Sequence, residues 1–197
     1  MKEEICEGFC GEVRSSSEPR GDFQGRDANG EGDGIRKVDG ERDAGEIAEI
    51  NRWYVENSTA IFDFEALTEE EMRRKIEGIA GGGYPYYVYV RDGRVEGYCY
   101  AHAWKEKRAY YPTWETTIYL RQECRGKGIG GRLMERLIED CRRGGCRSLI
   151  ACITAENEES CRFHERLGFE RVSLFREVGV KFGKWLDVAD YQMRLLS

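Results

Sequence analysis

The pattern of apolar and polar residues from Ile35 onward begins with one short β-prone run. The apolar residues that follow have the spacing of an amphipathic helix. The run at 35–38 predicts a strand. A helix is predicted to begin at Asp43, because a glutamate follows three residues later at Glu46. The buried face of this helix is expected to carry three side chains: Ile47, Ile50 and Tyr54.

A second helix is predicted to begin at Thr68. Glu71 stands three residues after it and completes a capping box, in which each side chain binds the other residue's backbone. The apolar stripe of this helix is formed by Met72, Ile76 and Ile79. Three consecutive glycines at 81–83 are expected to end it.

The next segment has the two-residue period of strands. Residues 86–91 are β-prone, and the following Asp92-Gly93 is a strong signal for a two-residue hairpin turn. A return strand is therefore predicted over 95–104. After a basic and aromatic loop, residues 113–120 predict another strand.

The last part of the chain alternates between helical and extended patterns. Apolar side chains predict a helix over 129–143, which two glycines close. A buried strand is predicted over 148–154, and a short helix over 158–167. Two strand-like runs follow at 171–180 and 187–195. The order β-α-α-β-β-β-α-β-α-β-β predicts an α/β domain with a mixed central sheet flanked by helices.

Charge divides the 197-residue sequence into an acidic beginning and a nearly neutral remainder. The net charge is −6, and residues 1–34 hold nine acidic and four basic side chains. Residues 1–33 are also rich in Gly and Ser and poor in large apolar groups, so they predict a disordered tail before one domain over 34–197. A docking tail and a misassigned start are the alternatives. Nothing in this balance indicates a nucleic-acid partner.

Cysteine and histidine spacing indicates neither a metal site nor a disulfide framework. The eight cysteines include no CxxC pair. Most of them stand in strand or helix patterns, where reduced thiols pack as small hydrophobic groups. No run approaches the ~18 to 20 apolar residues of a membrane span, and the first residues lack a secretory pattern. A metal-free, soluble cytoplasmic protein is expected.

The most informative segment is a glycine-rich loop between a predicted strand and a predicted helix. Backbone N–H groups at a helix N-terminus are unpaired donors with partial positive charge, so they attract phosphate. Gly126, Gly128 and Gly130 let the backbone approach an anion closely. Arg125 and Lys127 add positive charge at the rim. The alternative is a turn that only joins strand to helix.

Residues 125–130, Arg-Gly-Lys-Gly-Ile-Gly, resemble the Arg/Gln-x-x-Gly-x-Gly/Ala signature of the GNAT N-acetyltransferase superfamily. Asn157, Ser160 and the run 163–169 resemble its second coenzyme-contacting segment. The resemblance implies the GNAT acyl-CoA N-acyltransferase fold, with acetyl-CoA as co-substrate. It also implies loop amides on the pyrophosphate and strand backbone along the pantetheine arm. The implied cofactor-binding residues are Ile118, Tyr119, Leu120, Arg125, Gly126, Lys127, Gly128, Ile129, Gly130, Gly131, Asn157 and Ser160.

Three further segments, 104–110, 114–120 and 179–188, resemble the phosphinothricin and methionine sulfone or sulfoximine acetyltransferase branch. This likeness implies direct attack, in a ternary complex with acetyl-CoA, by the amine of a small acidic amino-acid-like substrate. It also implies a homodimer. Lys107 stands where the branch tends to have arginine, and Leu186 where it often has a polar residue. These departures bear on the substrate and not on the reaction.

Two residues are candidates for the proton transfers of this reaction. Glu115 lies among apolar strand neighbours, where a carboxylate with a raised pKa can take a proton from the amine. The branch resemblance implies the same role. His164 is the candidate acid for the departing thiolate, at a position that is usually tyrosine in the wider family. The alternatives are a solvent-facing glutamate and a histidine that only orients the coenzyme, while His102 is expected to be structural.

A basic and aromatic loop is the candidate anchor for the acidic groups of the substrate. Lys105, Lys107 and Arg108 supply the cations, and Tyr110 is a candidate wall of the pocket. A solvated basic turn is the alternative. Phe62 is a candidate pocket aromatic, or a core residue. Two other functions stay open: acetylation of another amine (a protein N-terminus, a polyamine or an antibiotic) and a non-catalytic acetyl-CoA-binding module.

Overall fold

The computed structural model of the protein describes residues 33–195, which form eight strands and four α-helices. The strands are β1 (Gly34–Lys37), β2 (Tyr86–Arg91), β3 (Arg94–Ala103), β4 (Thr113–Leu120), β5 (Ser148–Thr154), β6 (Glu170–Arg171), β7 (Phe175–Lys181) and β8 (Lys184–Arg194). The helices are α1 (Gly40–Asn57), α2 (Glu69–Gly81), α3 (Ile129–Arg143) and α4 (Glu158–Arg166). Short 3₁₀ helices stand on either side of β4, at Arg108–Tyr110 and Gln122–Cys124.

One sheet runs through the domain in the order β1-β2-β3-β4-β5-β8-β6, and β7 pairs with β8 beside this path. The β4–β5 pair is parallel, and the other pairings among the described strands are antiparallel. The parallel pair is joined through α3, since parallel neighbours need a crossover connection. The predicted α/β fold with a mixed sheet between helices is confirmed.

The helices cover both faces of the sheet. Ile47 of α1 and Met72 of α2 pack in one cluster with Val88 of β2. The neighbouring Tyr87 joins a second cluster with Leu133 of α3, because successive strand residues point to opposite faces. Burial on both faces explains why β2 is almost entirely apolar.

Helix α1 begins one turn before the predicted position. Asp39 is its N-cap, and its carboxylate accepts hydrogen bonds from the N–H groups of Glu41 and Arg42 at 3.1 and 3.3 Å. Asp43 lies inside the helix, is 1% exposed and binds Arg36 at 2.6 and 2.7 Å. The prediction of a start at Asp43 was wrong. Asp39 and Asp43 lie one turn apart and both suit a helix start, and only the ion pair with Arg36 shows that Asp43 has another role.

Most other predicted boundaries shift by a residue or less. The Thr68 capping box forms with both bonds, at 2.9 and 3.3 Å. Asp92 and Gly93 turn the hairpin with φ of 50° and 73°. The run predicted as one strand over 171–180 is divided instead into β6 and β7, and β8 begins at Lys184 rather than at 187.

Some expectations concern properties other than the fold. The predicted tail lies outside the described residues, apart from Asp33. Within 33–195, no helix is long and apolar enough to cross a bilayer, and no three His, Cys, Asp or Glu side chains are grouped to hold a metal ion. Six described cysteines are free thiols, of which four are buried: Cys99, Cys124, Cys141 and Cys146. Cys152, in contrast, is exposed, because it lines a cavity.

Candidate active site

A cavity of about 750 Å³ opens where β4 and β5 separate. These two strands pair over only three residues each, 113–115 with 148–150. On its other edge, β4 pairs with β3 as far as Leu120. In the same way, β5 pairs with β8 as far as Thr154. Both strands therefore stay extended and hydrogen-bonded after they separate from each other. Residues 116–120 line the cavity along the edge of β4 that has no partner strand.

One end of the cavity is the N-terminus of α3. Gly128 is the N-cap with φ of 78°, and no side chain caps the helix there. Gly126 has φ of 73°. At both glycines the place of a Cβ is open, with no atom within 4 Å. The first N–H groups of α3 are therefore accessible to an anion.

The predicted loop residues divide into two groups. Five of them line the cavity: Arg125, Gly126, Gly128, Gly130 and Gly131. Lys127 does not line it, and the side chain of Ile129 is buried in the core of α3 and the sheet. Lys127 and Ile129 can thus contribute through the backbone, whereas the glycines provide space.

Two arginines, Arg125 and Arg166, line the cavity. Arg125 forms an ion pair with Glu159 and donates to Gln122 at 2.8 Å, so its guanidinium is held in place. Arg166 of α4 also lines the cavity, although it is not among the predicted site residues. Its place within the run 163–169, which resembles the second coenzyme-contacting segment, is the signal that could have identified it.

Helix α4 carries the second predicted motif to the cavity. Asn157 is the N-cap, and its side chain accepts the N–H of Ser160 at 3.2 Å. Both residues line the cavity. Ile118, Tyr119 and Leu120 of β4 line the same cavity.

His164 is 4% exposed and lies at the cavity wall on α4. Its Nδ1 is 2.8 Å from the carbonyl oxygen of Ser160, so Nδ1 carries the proton and donates it, while Nε2 keeps a free lone pair. Phe163 and Phe169 contact the ring edge to face. Burial lowers the pKa of His164, which favours the neutral imidazole.

Glu115 lines the cavity from the last paired position of β4. Burial raises the pKa of its carboxyl, a protonated His102 opposes the rise, and Asp190 adds to it. His102 stands directly opposite Glu115 on β3 and lines the same cavity. The expectation that His102 is structural overlooked the alternation along β3, which places it on the face of Tyr98 and Tyr100.

Beyond Glu115 the cavity has an aromatic wall with one lysine. Tyr98 and Tyr100 of β3 form this wall, and Lys75 of α2 lies with its ammonium 5.4 Å from the Tyr100 ring centroid. Lys75 was not predicted to be functional. The signal was present, because it stands three residues after Met72 and four before Ile79, on the edge of the apolar stripe of α2.

Phe62, a predicted substrate residue, closes this part of the cavity. The loop that carries it is fixed to β7, because the buried ammonium of Lys181 donates to the carbonyl of Ile61 at 2.5 Å. Gly179 makes room for the ring: a Cβ there would stand 2.2 Å from a carbon of Phe62. Phe62 is therefore a pocket residue and not a core residue.

The other predicted substrate residues lie elsewhere. Lys105, Lys107, Arg108 and Tyr110 are exposed and do not line the cavity. The ammonium of Lys105 lies instead over the rings of Trp104 and Tyr110, at 4.0 and 5.3 Å from their centroids. These aromatic faces hold it away from the cavity wall.

Comparison with protein families gives one match over most of the domain. A family described as an acetyltransferase (GNAT) domain matches residues 37–189. A phosphinothricin N-acetyltransferase of Alcaligenes faecalis is 34% identical over 150 residues, which are 76% of this chain and 76% of that protein. An L-methionine sulfoximine/L-methionine sulfone acetyltransferase of Salmonella typhimurium is 33% identical, covering 78% of this chain and 90% of that protein.

One solved structure is similar to this chain in both fold and sequence. The crystal structure of a GNAT superfamily phosphinothricin acetyltransferase from Sinorhizobium meliloti, in complex with acetyl-CoA, superimposes with a TM-score of 0.78. Its sequence is 38% identical, and the match covers 81% of this chain and 86% of that chain.

Proposed function

We propose an acceptor for this chain, which belongs to the GNAT acetyltransferase family and is an N-acetyltransferase that uses acetyl-CoA. The proposed acceptor is a small acidic amino acid of the phosphinothricin or methionine sulfoximine type. The observation that carries this proposal is the position of Glu115. Its carboxyl, with a raised pKa, lines one cavity together with the anion-binding end of α3 and the lysine-bearing aromatic wall. A base between a coenzyme end and an acceptor end is the arrangement that direct transfer needs.

The coenzyme is proposed to occupy the gap between β4 and β5. The pyrophosphate binds the N–H groups at the start of α3, with Arg125 beside them. The pantetheine arm follows residues 118–120, whose backbone groups have no partner strand on that edge. Asn157 and Ser160 contact the arm from α4.

The acetyl group moves in one ternary complex. Glu115 takes a proton from the substrate ammonium, and the neutral amine attacks the thioester carbonyl carbon. The resulting tetrahedral oxyanion collapses, the C–S bond breaks, and the second amine proton reaches the sulfur. His164 is the proposed donor in this last step. The free Nε2 of its neutral imidazole takes this proton from the amine and passes it to the sulfur, and the lowered pKa means that the imidazolium gives the proton up readily.

The acidic groups of the substrate are proposed to meet two sets of cations. Lys75 offers an ammonium at the cavity beside Tyr100, and Phe62 lines the same cavity. The basic loop with Lys105, Lys107 and Arg108, and with Tyr110, is the second set and attracts an anionic amino acid from outside the cavity. A polycationic amine would be repelled by both sets.

A substrate screen tests the reaction. Wild-type protein is expected to consume acetyl-CoA with phosphinothricin, methionine sulfoximine or methionine sulfone, and to be inactive with a polyamine or a peptide N-terminus. Turnover only with the last two would refute the proposed substrate class. Glu115→Gln is the companion variant: it should bind acetyl-CoA like wild type and turn over roughly 10²- to 10⁴-fold more slowly. Wild-type protein that binds acetyl-CoA but acetylates no amine would favour the non-catalytic module.

We also propose that a second copy of the chain covers the β7–β8 hairpin. This two-stranded arm exposes five large apolar side chains: Phe175, Val178, Val180, Phe182 and Trp185. A monomer rarely leaves such a patch in water. Sedimentation velocity should show a dimer for wild type and a monomer for Trp185→Glu, and a monomeric wild type at micromolar concentration would contradict this.

A further inference from the structure

His102 is a second titratable side chain on the wall that carries Glu115. The two residues are directly opposite each other in the antiparallel β3–β4 register, and both line the cavity. Side chains at such positions point to the same face, with Cβ atoms about 4.5–5.5 Å apart. The imidazole and the carboxylate are therefore neighbours at the acceptor end of the site.

The hydrogen bonding of His102 leaves one ring nitrogen for proton transfer. Nδ1 is 2.9 Å from the carbonyl oxygen of Ala103. A carbonyl only accepts, so Nδ1 carries the proton and Nε2 has a free lone pair. His102 is half-buried, in contrast to the buried His164, and so has access both to the cavity and to water.

From this geometry we propose that His102 is a proton relay, which takes up the proton that Glu115 removes from the substrate ammonium and releases it to water. The inference rests on the proposed function. In the first step the ammonium becomes a neutral amine and the carboxylate of Glu115 becomes a carboxylic acid. In the second, that proton moves to Nε2 of His102 and the carboxylate is restored. The imidazolium then gives it to water, while the second amine proton ends on the coenzyme sulfur.

Other charged and titratable groups act on this pair. Burial raises the pKa of Glu115, a protonated His102 lowers it, and Asp190 of β8 raises it further. Burial raises the pKa of Cys152 of β5 and of Tyr119 of β4, and the Glu115 carboxylate adds to the rise for both. Next to His102 itself stand Tyr100, with ring centroids 5.8 Å apart, and the ammonium of Lys75 over that tyrosine. Loss of His102 thus removes a cation that favours the carboxylate, and the acid limb of kcat/KM should move to higher pH.

His102→Asn separates the relay from the structural hydrogen bond. The amide of asparagine can still donate to the carbonyl of Ala103 but provides no counterpart of Nε2. The variant is expected to keep its melting temperature and its KM for acetyl-CoA, and to lose about 10²-fold in kcat, which is the low end of the range for a group in acid–base catalysis. In His102→Ala, added imidazole should restore part of the lost rate.

A double-variant cycle gives the decisive control. The relay acts only through Glu115, so His102→Asn should cause no further loss in the Glu115→Gln background. Additive losses, or His102→Asn with the kcat and pH profile of wild type, would overturn the relay. Failure of the proposed function is distinguishable, since wild type would then acetylate no acidic amino acid at all.

Discussion

Gly128 offers a test of the coenzyme site in which backbone strain and ligand contact can be separated. At φ of 78°, an alanine would adopt a left-handed conformation that costs ~1–2 kcal/mol. For a domain of this size, that corresponds to a fall of roughly 2–8 °C in Tm. The new Cβ meets no protein atom within 4 Å, so it projects into the space where the pyrophosphate is proposed to lie. Blocking one charge-assisted hydrogen bond there costs about 1.5–3 kcal/mol, or roughly 10- to 150-fold in Kd for acetyl-CoA.

Gly93 is the matched control for Gly128→Ala. It has φ of 73° and an equally open Cβ position, but it lies in the β2–β3 turn and does not line the cavity. Thermal unfolding followed by circular dichroism should give similar Tm losses for Gly128→Ala and Gly93→Ala. Calorimetric titration should show weakened acetyl-CoA binding only for Gly128→Ala. Equal affinities in the two variants would refute the phosphate site at α3.

Three further predictions concern the acceptor end of the cavity. The pKa of Glu115 is raised above the ordinary carboxyl value of 4.5, so protonation should remove the base as pH falls through a value above 4.5. The acid limb of kcat/KM should therefore lie above pH 4.5. A limb at 4.5 or below would contradict the assignment of Glu115 as the base. Lys75→Met should raise KM for an acidic amino acid roughly 10-fold and leave KM for acetyl-CoA unchanged, as initial rates would show; equal changes in both constants would exclude an anion anchor. Gly179→Ala should displace the Phe62 ring, which can move because it ends a side chain, and therefore change KM for the amino acid with a Tm close to that of wild type. A large loss of Tm would mean instead that the ring supports the fold.

Several features were predictable from the sequence because they depend on interactions over a few residues. Thr68 and Glu71 form their capping box wherever the helix packs, and Asp92-Gly93 adopts left-handed angles by local sterics. The apolar period of α3 identifies its buried face without knowledge of its partners. The glycine loop belongs to the same class, because a helix N-terminus always presents unpaired N–H groups.

The composition of the site could not be predicted from local sequence patterns. The cavity exists because β4 and β5 stop pairing after Glu115, and strand separation depends on contacts far apart in sequence. His102 and Glu115 lie side by side because of the β3–β4 register. A shift of that register by one residue would place the two side chains on opposite faces of the sheet. In the same way, the packing of α2 brings Lys75 into the cavity, and the rings of Trp104 and Tyr110 hold Lys105 outside it.

The sequence alone determined most of the elements, the fold class and the glycine-rich loop at the start of α3, since each depends on residue spacing within one helix, strand or turn. The tertiary structure decided which charged side chains share the cavity. That depends on strand register and on the packing of helices against the sheet, because these set distances between residues that are remote in the chain.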